Sequence, residues 1–229
     1  MAIQALHHQC FRLMEGPRSV GICSQSASPL SEKNARAVAT LLPLLGCGEE
    51  AASFAFDDIA DHFTKAHERY ALHGIALEER VHDDIIQELI ATMPVRPDVS
   101  EMLKSAKHFH VKLGRGTPAE RLARIAALDA AVCLILSRLT RARAPITTDS
   151  FITSHLIRIR NDEARHVSVS RALAIAVLPR AELDDLGAAI RWAFADVLML
   201  GAGALETLGV DPWALARDIR ALPNGLFRA

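Results

Sequence analysis

Positions 72, 75, 79, 82, 86, 89 and 93 read Leu, Ile, Glu, His, Ile, Leu and Met. Steps of three and four put them on one helix face, apolar except for a carboxylate and an imidazole near its middle. A second stripe repeats the design: positions 152, 156, 159, 163, 166, 170, 173 and 177 read Ile, Leu, Ile, Glu, His, Ser, Leu and Val. Two further stripes are apolar around a single acid. Positions 38, 42, 45, 49, 52, 56, 59 and 63 read Val, Leu, Leu, Glu, Ala, Phe, Ile and Phe; positions 122, 125, 129, 132 and 136 read Leu, Ile, Asp, Val and Leu. Glu50 falls on another line, with Gly46, Ser53 and Asp57, which is polar. Glu49 is therefore the better inward carboxylate.

Boundary signals divide the chain into helices. Ser31 with Glu32 opens the first, which runs to about residue 62, with Pro43 expected to kink or break it. A turn at 61–64, with Thr64 as N-cap, starts the second, which ends before Pro94. Residues 94–116 read as a connection rich in Pro, Gly and Lys, with a short helix at 98–107; the triplet His108-Phe109-His110 reads as solvated loop. Thr117-Pro118-Ala119-Glu120 is a capping box with Pro at the first helical position. A turn at 142–148, containing Pro145, leads to a fourth helix from about 149 to 178. Pro179 restarts the chain as a fifth helix to about 207, and Asp211-Pro212 caps a short sixth. No strand pattern is present. The expected organisation is all-α: an N-terminal arm at 1–30 carrying an exposed His7-His8 pair, a four-helix core at 31–178, and C-terminal helices at 179–229 packed on that core.

Composition narrows the class. The chain has 229 residues, enough for one domain with a sizeable core, and 50% are hydrophobic but only 5% aromatic. Ala, Leu and Ile dominate, which favours helices over a sandwich of sheets. A net charge of −1 offers no basic field, so nucleic acid is not an expected partner. Cys10, Cys23, Cys47 and Cys133 show no paired spacing and read as reduced, mostly buried thiols. No signal peptide is recognised, and no apolar run is read as reaching the roughly 18 residues of a membrane span. The expectation is a cytoplasmic protein without a membrane partner.

The chemistry lies in the two polar interruptions, Glu78-Glu79-Arg80-Val81-His82 and Asp162-Glu163-Ala164-Arg165-His166. Residues i and i+3 on a helix have Cβ atoms roughly 5–6 Å apart, so each Glu-x-x-His aims a carboxylate and an imidazole at one point. That donor pair suits iron, manganese or zinc. Burying an unpaired carboxylate costs several kcal/mol, and a cation removes the penalty. Glu49 and Glu79 are 30 positions apart, and Asp129 and Glu163 are 34 apart. The midpoints, near 64 and 146, both fall in expected turns. About 15 residues on each leg of an antiparallel pair, roughly 22 Å of helix, would bring all four positions to one level.

This pattern resembles the ferritin-like di-iron carboxylate superfamily, in which two helices each give a carboxylate and two others each give a Glu-x-x-His. The resemblance spans about residues 35–178 and rests on Glu49, Glu79, His82, Asp129, Glu163 and His166; Asp129 stands where Glu is usual. It implies a ferritin-like four-helix bundle holding two iron ions, with manganese able to fill one or both positions. Glu79 and Glu163 would bridge the ions, Glu49 and Asp129 would be terminal ligands, and His82 and His166 would bind one ion each. Asp162 would orient His82 and Glu78 would orient His166, each through a hydrogen bond. Arg80 and Arg165 would pair with surface acids.

Such sites store iron, generate a radical, or activate oxygen on a substrate. The arm, the long connection and the extra C-terminal helices argue against a storage shell. A radical site would need tyrosine one turn beyond the first ligating histidine, where this chain has Ile86; Tyr70, its one tyrosine, is off the ligand stripe. The resemblance thus implies a non-haem di-iron oxygenase or oxidase performing hydroxylation, N-oxygenation or desaturation. Its partners would be O2, a small organic substrate and an external electron donor, with a homodimer allowed. Ala52, Phe56, Ile86, Ala126, Cys133, Ile159 and Ser170 lie within about a turn of the ligands and either shape a substrate pocket or simply pack the core. Two other functions stay open. One is a non-enzymatic iron-handling or structural bundle. The other is an RNA-modifying di-iron hydroxylase using Arg138, Arg141 and Arg143 as a basic patch.

Overall fold

Ser31 opens the first helix, α1 (Glu32–Ala60), where its hydroxyl accepts a hydrogen bond from the Asn34 amide at 3.3 Å. The computed structural model describes residues 29–222. Most of the expected arm, with His7, His8, Cys10 and Cys23, lies outside the described residues. α1 continues past Pro43, so the expected break is absent. An interior proline costs a helix about 3 kcal/mol. Pro43 sits among buried Leu41, Leu42 and Leu44, and burying each leucine contributes about 1.5–3 kcal/mol, enough to carry the helix through.

The connection at 61–65 leads into α2 (Ala66–Thr92). Lys65, not Thr64, occupies the N-cap position, and no side chain caps the helix. Instead Lys65 Nζ meets Glu68 in the first turn at 3.0 Å. α3 (Ser100–Leu113) is longer than expected and includes the whole His108-Phe109-His110 triplet. Its buried face is Met102, Ala106, Phe109 and Leu113, a three-to-four spacing masked in the sequence by intervening lysines. Phe109 anchors it, its ring centroid 5.6 Å from that of Phe194.

α4 (Pro118–Leu139) starts with both halves of its capping box: the Thr117 amide donates to Glu120 Oε2 at 2.6 Å, and the Glu120 amide donates to Thr117 Oγ1 at 3.3 Å. A 3-10 turn at Pro145–Thr148 precedes α5 (Ser150–Ile175), capped by Asp149, which accepts from the Ile152 amide at 3.1 Å. The expected long fifth helix is two helices, α6 (Arg180–Leu198) and α7 (Ala202–Thr207), separated by a 3-10 turn at Met199–Gly201. The chain passes tightly over α1 there: a Cβ on Gly201 would stand 2.8 Å from Leu41 Cδ2. α8 (Pro212–Arg220) is capped as expected by Asp211, which accepts from the Trp213 and Ala214 amides. No strand occurs among the described residues.

α1 packs along α2, and α4 along α5. α6 covers α4, α8 lies on α6, and α3 and α7 rest on α1. An 18-residue window within Arg180–Thr207 is apolar enough to cross a membrane by composition, with mean hydropathy 1.4, against the expectation of no such run. Along Arg180–Thr207, Leu183, Ile190, Phe194 and Leu198 are buried inside the protein, while Trp192 and Leu200 are exposed.

Candidate metal centre

Glu79 and His82 lie on the α2 stripe, every member of which, from Leu72 to Met93, is buried. Glu163 and His166 hold the same place on α5, Glu49 comes from α1 and Asp129 from α4; none of the six is more than 5% exposed. Ligand-type atoms of Glu49, Glu79, His82 and Glu163 all lie within 4.8 Å of one another, so this buried group could hold a metal ion.

The contacts fall into two lobes. In the first, His82 Nδ1 faces Glu49 Oε2 at 3.4 Å, Glu79 Oε2 at 3.5 Å and Glu163 Oε1 at 3.4 Å. In the second, His166 Nδ1 faces Glu79 Oε1 at 2.8 Å and Glu163 Oε2 at 3.7 Å. Each central glutamate therefore turns one oxygen to each imidazole. The two ring centroids are 5.8 Å apart. Neither Nδ1, nor either oxygen of Glu79, nor Asp129 Oδ2 makes a well-formed hydrogen bond. Buried polar atoms left so are costly, and a cation held by Glu49, Glu79, His82 and Glu163 would relieve those of Glu79 and His82.

The outer ring nitrogens are tied down reciprocally. His82 Nε2 is 3.2 Å from Asp162 Oδ2 on α5, and His166 Nε2 is 2.9 Å from Glu78 Oε2 on α2. Pairing 78 with 166 and 82 with 162 is the nesting of antiparallel helices. In the neutral imidazoles these contacts favour the hydrogen on Nε2 and leave Nδ1 facing inward, free to take a cation. Arg165 donates to Glu78 at 2.5 Å, and Arg80 pairs with Asp57.

Electrostatics reflect the crowding. Burial first, then the Glu163 and Glu79 charges, push the Glu49 carboxyl well above its ordinary range, and the same causes raise Asp129. Burial also acts to raise Glu79, but the facing imidazoles of His166 and His82 outweigh it and bring it down. Burial disfavours charge on both histidines; their carboxylate neighbours overcome this and raise both.

Other expected residues divide. Ala52 and Asp129 stand in the wall of a cavity of about 60 Å³ between α1, α3 and α4. Phe56 is fully buried, its ring edge-on to His166 at 6.2 Å between centroids. Ile86, Ala126 and Ile159 are buried core side chains. Ser170 is fully buried, and its hydroxyl has no hydrogen-bond partner. Cys133 is half-buried and donates to the Arg160 carbonyl at 3.6 Å; burial, then Glu163 and Asp129, push its thiol up to about 12. Tyr70 is 81% exposed and away from the centre. Of the arginines weighed as a basic patch, Arg138 pairs with Asp218 at 2.6 Å and Arg141 donates to the Gly209 carbonyl at 2.5 Å.

Sequence reasoning missed His110 and Glu50. His110 lies on α3 in the wall of that cavity, and burial lowers its imidazole to about 4, leaving it neutral at pH 7. Glu50 is buried as well as Glu49 and lines the same cavity. The signal for both was the amphipathic period of α3, which needs a helix to cover that side of α1. A scan of family models finds no match to this chain, and a search of curated proteins finds none either.

Proposed function

We propose that this protein is a ferritin-like dinuclear metalloenzyme, a non-haem di-iron oxidoreductase that uses O2 to oxidise a small organic substrate. The doubled lobe carries this reading: Glu79 and Glu163 each offer one oxygen to the His82 side and one to the His166 side. Two cations, each with one imidazole, would share both carboxylates. Glu49 would complete the first lobe and Asp129 the second. Ionised, the four acids carry four negative charges, which two divalent ions cancel. When bound, ferrous ions would supply the electrons for reducing O2, with an external donor restoring them.

The residues of this chain bind, orient and exclude water. Asp162 and Glu78 fix the ring orientation and tautomer of His82 and His166. Phe56, Ile86 and Ile159 keep the carboxylates in a dry surrounding, where their charges act strongly. The engagement of Arg138 and Arg141 by Asp218 and Gly209 weighs against the RNA-modifying alternative.

Anaerobic titration of metal-free protein with ferrous iron should saturate at two ions per chain. Glu163→Ala should lose at least one ion while helical circular dichroism persists. Admission of O2 should then be followed by oxygen uptake that accelerates with a suitable substrate. Uptake of many irons per chain would instead assign iron handling, and absence of any iron binding would end the metal reading. Two ions retained in Glu163→Ala would remove that residue from the shared position.

A further inference from the structure

Three helices each give a stripe to the cavity beside the centre: Gly48, Ala51 and Ala55 from α1, His110 from α3, Arg121 and Asp129 from α4. The α1 side chains are small, and Ala51 and Ala55 are only half-buried. A Cβ on Gly48 would stand 3.8 Å from His110 Cε1, an ordinary contact. The small residues therefore leave room that larger ones would fill. About 60 Å³ admits roughly four to six water-sized groups, a short chain rather than a ring system.

Arg121 is the buried cation of the wall, which also holds Lys107, His110 and the acids Glu50 and Asp129. It is 7% exposed, with Nη1 donating to Asp58 at 2.5 Å and Nη2 to the Ala55 carbonyl at 3.4 Å. Its Nε–H is buried without a hydrogen-bond partner. A guanidinium has donors only, and an unmet buried donor is costly. Its complement is an oxygen acceptor, and an ionised one bonds it best. Asp129 belongs both to this wall and to the candidate centre.

We infer that this cavity is the substrate chamber of the centre and takes a short-chain aliphatic carboxylate. The head group accepts from Arg121 Nε, and the chain lies over Gly48, Ala51 and Ala55 toward Asp129. The inference rests on the dinuclear reading above for what happens at Asp129, but not for binding in the cavity.

The test is calorimetric titration of cobalt-loaded protein with pentanoate, with the visible cobalt spectrum recorded in parallel. Pentanoate should bind and alter the spectrum, while pentylamine, of similar length but with a donor head, should not bind. Ala51→Leu fills the chamber. Arg121→Lys keeps a cation for Asp58 but removes Nε–H. Each should weaken pentanoate binding at least tenfold with cobalt stoichiometry unchanged. Failure of pentanoate to bind a protein that takes up cobalt, or undiminished binding in either variant, would overturn the chamber and leave the metal reading intact. Variant-sensitive pentanoate binding by a protein that takes up no cobalt would keep the carboxylate site and overturn the metal reading.

Discussion

His82 and His166 each touch the centre with one nitrogen and an acid of the other long helix with the other. Removing such an outer acid leaves the ring in place but frees its tautomer and tilt. Asp162→Ala should therefore lower metal affinity by about 10- to 100-fold without loss of the fold. Competition of the variant against a chromophoric chelator reads this directly, and unchanged affinity would reduce Asp162 to a surface acid. Protonation gives a second consequence. Both imidazoles are raised by facing carboxylates, and Glu49 and Asp129 are raised by burial and their neighbours. At pH 7 the metal-free cluster holds protons that a cation must displace. Affinity should accordingly rise with pH, and loading should release protons. Calorimetry in two buffers of different ionisation heat counts them, and loading at pH 7 without proton release would contradict this account. These residues were legible in the sequence because a charged side chain on an apolar stripe is conspicuous. Glu50 was not, because it becomes buried only through packing that no stripe on α1 announces.

At the scale of single helices, start signals read well where a side chain makes the cap and poorly where none does. Ser31, Thr117 and Asp211 cap as their sequences suggest, and Asp149, expected as the first residue of its helix, is the cap. α2 has no side-chain cap, so its start was displaced to Thr64. Pro43 misled for the opposite reason: its local penalty is real, but buried leucines on both sides outweigh it. The α4 start has one further requirement. Gly116 has φ +91°, a conformation that L side chains rarely adopt, and a Cβ there would collide with the Glu120 carboxylate of the capping box. Gly116→Ala should destabilise the protein by about 1–2 kcal/mol, through strain and a loosened cap. A shift in the urea midpoint measures it; an unchanged midpoint would show that the turn relaxes freely.

Across the whole molecule, each half of the core is a pair of helices joined by a connection, α1 with α2 and α4 with α5. The two long-helix motifs meet between these pairs. The all-helical character and the level at which the motifs meet were legible, since equal spacing from two turns is simple geometry. The cover was less so: α3 runs six residues past the short helix expected at 98–107, and the break between α6 and α7 lies where Gly201 approaches Leu41. Without a cation, buried acids confront each other between the pairs. Metal should stabilise the assembled state by mass action, about 2.7 kcal/mol at a hundred times Kd. For a domain of this size that is about 5–10 °C in Tm. Thermal melts with and without cobalt, reversed by chelator, test it, and coincident melts would mean that no cation binds the folded state.

The nested pairing of 78 with 166 and 82 with 162 has an assembly consequence. Between the two pairs it is α2 and α5 that meet. Apolar side chains tolerate a slip of one helical turn at modest cost. Acid–imidazole pairs do not: such a slip strands both histidines at once. The polar clasps thus work like the teeth of a zip, letting the two pairs close at a single notch.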